Sequence, residues 1–212
     1  MKAKPVAAID IGGTLEETWG AKRTWFQEKG IDIGTRPLDR NAVTSLLGVD
    51  QEMYDAMRAL VYSPLQILSH ELVVGSKHAL KILAKSYRIF LLSSREQKFS
   101  EVTKDWLRSK EILELIDDII FLGNQGNKFE WCKANDIWLM IDDDSRHLDV
   151  NDVTGPTIRI HLTSSAKETS NSSPLVCAAA SWEEILDIVQ MPHHSCANLR
   201  IAKTCTSAQS PI

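Results

Sequence analysis

Cysteine, proline and glycine are all scarce in this chain: among 212 residues there are four, seven and ten of them. The cysteines, Cys132, Cys177, Cys196 and Cys205, include no C-x-x-C pair, and two lie in a polar tail. That spacing argues against a zinc knuckle or a disulfide framework and leads us to expect reduced thiols. So few prolines and glycines exclude a low-complexity or collagen-like chain. Long apolar runs are also missing. The first, Val6 to Ile9, is too short for a secretory core, and no stretch approaches a membrane span. A cytoplasmic protein with no membrane partner is therefore expected. Nor is there an excess of positive charge. The net charge of -4 comes with no basic stripe, which argues against a nucleic-acid polymer as the main partner. A small phosphorylated ligand stays open, because one or two local cations suffice for it. Finally, His147, His161, His193 and His194 show no metal-ligand spacing, and no internal repeat is visible.

What is present is ordinary globular material, 43% hydrophobic and 25% charged, enough for one α/β domain with a small insertion. Four short apolar runs read as buried parallel strands: Val6 to Ile9, Arg88 to Leu92, Asp118 to Leu122 and Ile137 to Ile141. A fifth, Thr157 to His161, alternates and is expected at a sheet edge. Helical spacing joins Leu80, Leu83 and Ala84, then Val102, Trp106 and Leu107, then Phe129, Cys132 and Lys133, and finally Trp182, Ile185, Leu186 and Val189. Strand and helix alternate, so the fold class is α/β, a doubly wound and mostly parallel sheet. From Glu16 to about Leu72 no strand pattern appears, only helical stretches such as Asp50 to Leu60. The division expected is a core of residues 1–15 and 73–190, a small helical cap of 16–72, and a disordered tail of 191–212. A polar loop is expected over 163–174.

In doubly wound sheets, ligands sit beyond the carboxyl ends of the strands. After the first strand come Asp10, Gly12, Gly13 and Thr14. Ser93, Ser94 and Arg95 follow the second, and Asp142, Asp143 and Asp144 the fourth. Lys128 opens the helical stretch before the fourth strand. Carboxylates crowded at strand ends repel one another unless a cation neutralises them. Ligands that are all oxygen favour magnesium over zinc, and magnesium commonly bridges to a substrate phosphate. An aspartate there can attack phosphorus, while hydroxyl and ammonium groups hold the equatorial oxygens. Each residue also has a plainer reading. Asp142 to Asp144 can form an exposed acidic turn, Ser93 and Ser94 can cap the next helix, Arg95 can be a surface residue, and Lys133 competes with Lys128. The six tryptophans read mainly as packing residues, although Trp19 and Trp25 in the cap are placed where a base could stack.

At these residues the chain resembles the haloacid dehalogenase superfamily. Ile9-Asp10-Ile11-Gly12-Gly13-Thr14-Leu15 is similar to its first motif, D-x-D-G-T in the phosphatases. Leu91-Leu92-Ser93-Ser94-Arg95 resembles the second motif, Lys128 the third, and Ile141-Asp142-Asp143 the fourth. The Ile-Asp-Asp ending close behind the lysine and the late Ser181-Trp182-Glu183-Glu184-Ile185-Leu186 look most like the 5′(3′)-deoxyribonucleotidases. The resemblance implies a Mg²⁺-dependent phosphohydrolase acting on a small phosphate monoester, with nucleotides among the candidates, through an aspartyl-phosphate. It makes Asp10 the nucleophile and a metal ligand, with Ser93 binding the phosphoryl group and Lys128 joining nucleophile and substrate charge. Asp142, Asp143 and the backbone carbonyl of Gly12 would complete the metal site, and Gly13, Thr14, Ser94 and Arg95 would lie beside the substrate.

One position departs from the pattern. The phosphatases carry a second aspartate, the general acid and base, where this chain has Gly12. Losing such a group typically costs about 10²–10⁴ in rate. Three outcomes follow: another group fills the role, with Glu16, Glu17 and cap residues as candidates; the chemistry differs; or the protein binds phosphate and metal without turnover. Asp-Ile-Gly-Gly-Thr also resembles the phosphate loop of actin-like sugar kinases, but those need a β-hairpin after the loop, and here the charged and aromatic run Glu16 to Trp25 follows.

Overall fold

The structure, a computed structural model, describes residues 3–34, 43, 48–123, 126–148, 152, 155–156, 158–163 and 176–190. Nearly all of the polar loop expected over 163–174, and the whole tail from 191 with its two cysteines and paired histidines, lie outside the described residues.

The apolar runs form one parallel sheet because they are buried on both faces. The strands are β1 (Val6–Asp10), β2 (Arg88–Ser93), β3 (Asp118–Phe121), β4 (Leu139–Asp142), β5 (Ile158–Leu162) and β6 (Val176–Ala179), in the order β3-β2-β1-β4-β5-β6. Every pairing is parallel. Side chains alternate between two cores, as the strand period of two requires. Ala7, Ile9, Leu91, Leu139 and Ile141 face one apolar cluster, whereas Ala8, Leu92 and Met140 face the other. Chain order reverses between β1 and β4, so the crevice beyond their carboxyl ends is the switch point where such sheets bind ligands.

β5 is not the edge strand expected from its alternation. β6 pairs along its far side through Arg159↔Val176 to Leu162↔Ala179. The four residues of β6, Val-Cys-Ala-Ala, are too few and too small to announce a strand by pattern. Cys177 on this strand is disulfide-bonded, so the expectation of fully reduced thiols does not hold, although Cys132 is a free, buried thiol.

Between β1 and β2 the chain makes a helical excursion: α1 (Trp19–Glu28), α2 (Gln51–Val61) and α3 (Pro64–Ser69), followed by α4 (Ser76–Ser86), which packs on the sheet. Asp50 starts α2 by accepting a hydrogen bond from the Met53 amide at 2.8 Å, and Pro64 sits in the first turn of α3. Trp19, Trp25, Phe26, Met57 and Val61 form a separate apolar cluster within the excursion. It leaves and rejoins the sheet as two adjacent extended segments, fastened by Glu17 N–H to Glu71 O and Val73 N–H to Leu15 O, both 2.8 Å. No hairpin directly after the Asp10–Thr14 loop is present, which removes the requirement on which the sugar-kinase reading depended.

The remaining helices are α5 (Ser100–Ser109), α6 (Lys128–Ala134) and α7 (Trp182–Gln190). The indole of Trp182 donates to the Thr14 carbonyl at 2.9 Å, tying α7 to the loop after β1. Among the described residues no helix is long and apolar enough to cross a membrane.

Candidate active site

Register places the chemistry. Ile9 pairs with Ile141, so the next residues, Asp10 and Asp142, end neighbouring strands side by side. Asp10 pairs with Leu92 on its other flank, which sets Ser93 beside it. Lys128, the first residue of α6, reaches back over these ends because Phe129 and Cys132 are buried on the helix behind it. Its ammonium donates to Asp10 Oδ1 at 2.5 Å and to Asp142 Oδ2 at 2.8 Å. All three side chains are buried.

Asp143 completes the acidic group. One ligand oxygen from each of Asp10, Asp142 and Asp143 lies within 4.8 Å of the others. The Thr14 hydroxyl donates to Asp143 Oδ1 at 3.1 Å, and the Asp143 carbonyl meets His161 Nε2 at 3.0 Å. Burial, then Asp10, pushes the Asp143 carboxyl up to about 7. Burial also raises Asp142 well above the usual range, although Lys128 opposes it. Burial disfavours the Lys128 ammonium, but Asp10 and Asp142 outweigh that and raise its pKa. Lys128 is thus shared between two carboxylates, with a third, Asp143, beside them. The oxygen-only donor set with surplus negative charge suits a hard divalent cation such as Mg²⁺.

A cavity of about 180 Å³ opens over this group. Asp10, Gly12, Ser93, Ser94, Arg95, Lys128, Asp142 and Asp143 line its sheet side, and Trp19, Lys22, Tyr54, Met57, Arg58 and Tyr62 line it from the helical excursion. The Ser93 hydroxyl accepts from the Arg95 amide at 3.2 Å. Neither Ser93 nor Ser94 caps a helix, because the next helical turn begins at Gln97 with Glu96 at its cap. Ser94 Oγ and Arg95 Nη1 are buried without a hydrogen-bond partner. Unmet donors beside a cavity are what an anion would satisfy.

Arg95 is no surface residue. It is buried, paired with Glu16, and its guanidinium lies over the Tyr62 ring at 4.8 Å. Burial pushes its pKa down to about 10, against the pull of Asp10, which leaves it charged at neutral pH.

Two residues assigned to the substrate by resemblance stand elsewhere. Thr14 is fully buried and steadies Asp143 instead. Gly13 has a φ of +103°, and a Cβ there would come within 2.1 Å of Asp143 Oδ2, so its role is to let that carboxylate approach the loop. Asp144 is bound to Arg146 and starts the turn 145–147, and Lys133 pairs with Asp152 at 2.8 Å away from the cluster. Trp25 packs edge-on against Phe26 within the excursion and does not line the cavity, whereas Trp19 does.

Sequence reasoning missed Lys22, Tyr54, Arg58 and Tyr62. They belong to helices whose apolar faces form a cluster of their own, so no strand-end rule points to them. Lys22 lines the cavity with Asp143 and Tyr62; burial opposes its charge, but Tyr62, Asp143 and Tyr54 raise its pKa. His147 was also passed over. It lines the cavity, and burial followed by Lys128 lowers its pKa to about 4, so it is neutral at physiological pH.

No protein-family model matches the chain, and no curated protein does. Solved structures do. A haloacid dehalogenase-like hydrolase from Streptococcus pneumoniae superposes with a TM-score of 0.59 at 16% identity, covering 90% of this chain and 100% of its own. A predicted phosphatase from Clostridium acetobutylicum gives 0.57 at 15% identity, covering 88% and 100%. A haloacid dehalogenase family hydrolase from Deinococcus radiodurans, with bound phosphate and sodium, gives 0.51 at 13% identity, covering 86% and 93%. At these identities the likeness concerns the fold, and the fold of this chain is that of the haloacid dehalogenase-like hydrolases.

Proposed function

We propose that the protein is a Mg²⁺-dependent hydrolase of small phosphate monoesters, with nucleotides as the favoured substrate class, acting through an aspartyl-phosphate on Asp10. The observation that carries this reading is the buried Asp10–Lys128–Asp142 cluster with Asp143 beside it. It faces a cavity in which Ser94 Oγ and Arg95 Nη1 lack partners. In this reading Asp10, Asp142 and Asp143 hold the cation, which polarises the phosphoryl group and offsets its charge. Asp10 is the nucleophile. Ser93, Ser94 and Arg95 bind the equatorial oxygens, and Lys128 holds the Asp10 carboxylate in line. Residues 16–72 act as a cap over a core of 1–15 and 73–190. Trp19, Tyr54 and Tyr62 give the cap wall an aromatic surface that suits a base. The Deinococcus protein of the same fold carries phosphate, in keeping with an anion site here.

The test is phosphate release from a panel of nucleoside monophosphates and sugar phosphates, with and without Mg²⁺. Release that needs Mg²⁺ and disappears in Asp10→Asn, with the fold retained by circular dichroism, is the expected result. Undiminished release by that variant would rule out the mechanism. Gly12 favours a second reading, in which phosphate and metal bind without turnover. Calorimetric binding of phosphate with Mg²⁺, and no release from any ester, would select it.

A further inference from the structure

Displacement at phosphorus needs a proton handled twice. The departing oxygen must receive one, and the attacking water must lose one. The acidic side chains in and behind the cavity are committed elsewhere: Asp143 accepts from the Thr14 hydroxyl at 3.1 Å and, in the reading above, holds the cation. Glu16 is fully buried, with its oxygens bound to His70 Nδ1 at 2.9 Å and to Arg95. Glu17 caps α1, accepting from the Trp19 amide at 2.8 Å and the Gly20 amide at 3.1 Å. Asp144 is bound to Arg146, and Asp10 and Asp142 to Lys128.

Beside Gly12 the space is already filled. A Cβ built on Gly12 would stand 3.2 Å from the Tyr62 hydroxyl and 3.4 Å from Arg95 Nη2. The phenol oxygen therefore occupies the place that an acidic side chain at position 12 would reach. Tyr62 lies at the carboxyl end of α2, half-buried, and lines the same cavity as Asp10. Lys22 from α1 lines the same cavity and acts on it electrostatically, and the Arg95 guanidinium lies over its ring at 4.8 Å. The phenol thus stands between two cations on the wall that faces Asp10.

We propose that Tyr62 is the general acid and base of the reaction and that Lys22 positions it, an inference that rests on the phosphohydrolase reading above. In the first displacement an Asp10 carboxylate oxygen bonds to phosphorus as the ester P–O bond breaks. The Tyr62 proton passes to the departing alkoxide, leaving a phenolate beside Lys22 and Arg95. In the second, that phenolate takes a proton from water. The hydroxide formed bonds to phosphorus as the P–O bond to Asp10 breaks, and the carboxylate and the phenol are restored. A cap residue thus supplies what Gly12 lacks.

The test is Tyr62→Phe in the full chain with Mg²⁺, using two esters that differ in their need for a proton. p-Nitrophenyl phosphate has a leaving group that departs without one; uridine 5′-monophosphate does not. The variant is expected to give a nitrophenolate burst at the wild-type rate, followed by slow turnover as acid-quenched phosphoprotein accumulates. Turnover of the nucleotide should fall about 10²–10⁴-fold. Lys22→Gln should show the same dependence on leaving group with a smaller loss. An equal loss in the first, phosphorylating step on both esters, or wild-type turnover of the nucleotide, overturns the proposal. So does the same pattern in His147→Gln with Tyr62→Phe unaffected. If the wild-type protein hydrolyses neither ester nor any other tested monoester, the phosphohydrolase reading falls and this inference with it. An active wild type with an equally active Tyr62→Phe removes this inference alone.

Discussion

Replacing Lys128 by methionine keeps most of the side-chain volume and removes the one cation that touches both Asp10 and Asp142. Its Nζ lies 2.5 and 2.8 Å from them and is buried. The two carboxylates bring oxygens within 4.8 Å of each other, and like charges at that limit, in an effective dielectric of about 20, repel by roughly 3.5 kcal/mol. Removing one partner from a buried ion pair costs about 3–5 kcal/mol. Carboxylates can escape larger penalties by taking up a proton, so we expect about 3–5 kcal/mol. With a urea m-value of about 2 kcal/mol/M, the unfolding midpoint should fall by about 1.5–2.5 M in EDTA at pH 8. The pH dependence follows from the sign of the shift. Burial already raises Asp142, against the pull of Lys128, and raises Asp143 to about 7, above the unfolded value of about 3.9, and losing Lys128 removes that opposing pull. The folded state then holds extra protons between those two values, so stability relative to the wild type recovers as pH falls through that window. The penalty is full only above the folded pKa. The assay is urea unfolding of both proteins at pH 8 and pH 4.5. Lys133→Met serves as control, since that half-exposed pair with Asp152 should move stability by no more than about 1 kcal/mol. Equal midpoints for wild type and Lys128→Met at pH 8, or a gap that does not shrink at pH 4.5, would refute the electrostatic account.

Two further outcomes are expected. In Gly12→Asp the new side chain must push Tyr62 and Arg95 aside, because they stand 3.2 and 3.4 Å from its Cβ. It should lower stability by about 1–3 kcal/mol in thermal unfolding and yet raise nucleotide turnover at least about tenfold in a Tyr62→Phe background. In Gly155→Ala the added carbon would lie 2.2 Å from Phe129 Cζ and 3.0 Å from Arg159 Nη2. Overpacking there should cost about 1–3 kcal/mol in urea unfolding. It should also weaken Mg²⁺ binding in calorimetry, because Phe129 adjoins Lys128; unchanged affinity would argue against that coupling.

The sheet side of the cavity was legible because its signals are local. Each strand is a short apolar run, each chemical residue follows one directly, and parallel pairing fixes the ends side by side. Asp10 and Asp142 are neighbours for no reason beyond Ile9↔Ile141. Thr14 binds Asp143, which spacing could not show: a hydroxyl in a loop after a strand can face the ligand or brace a neighbouring carboxylate. β6 was illegible because strength in a four-residue strand comes from its partner rather than from its own pattern. The wall that comes from the helical excursion was hidden more deeply. Lys22 and Tyr62 are forty residues apart on different helices, and they meet only because Trp19, Phe26, Met57 and Val61 bring α1 and α2 together. A periodicity argument finds that apolar stripe but says nothing about which polar residues flank it.

The roots of the helical excursion connect these two walls. Glu16 stands where the chain leaves the sheet and His70 where it returns, and the fully buried Glu16 carboxylate binds both His70 and Arg95. Burial lowers the His70 pKa. A neutral ring with its proton on Nδ1 donates to Glu16 and leaves Nε2 as the atom without a partner, which is the atom found unpartnered. Glu16 and Arg95 then cancel in charge, and the knot carries no net charge into the interior, which is the condition under which such burial is tolerated. Its consequence is mechanical. Arg95 is clamped from below by Glu16 while its upper face carries the Tyr62 ring. Tyr62, which faces Gly12, is therefore referenced to the same side chain whose Nη1 lacks a partner. A glycine at position 12 leaves that stack undisturbed, since a Cβ there would stand 3.2 Å from the Tyr62 hydroxyl and 3.4 Å from Arg95 Nη2 and would ask them to give by a few tenths of an ångström.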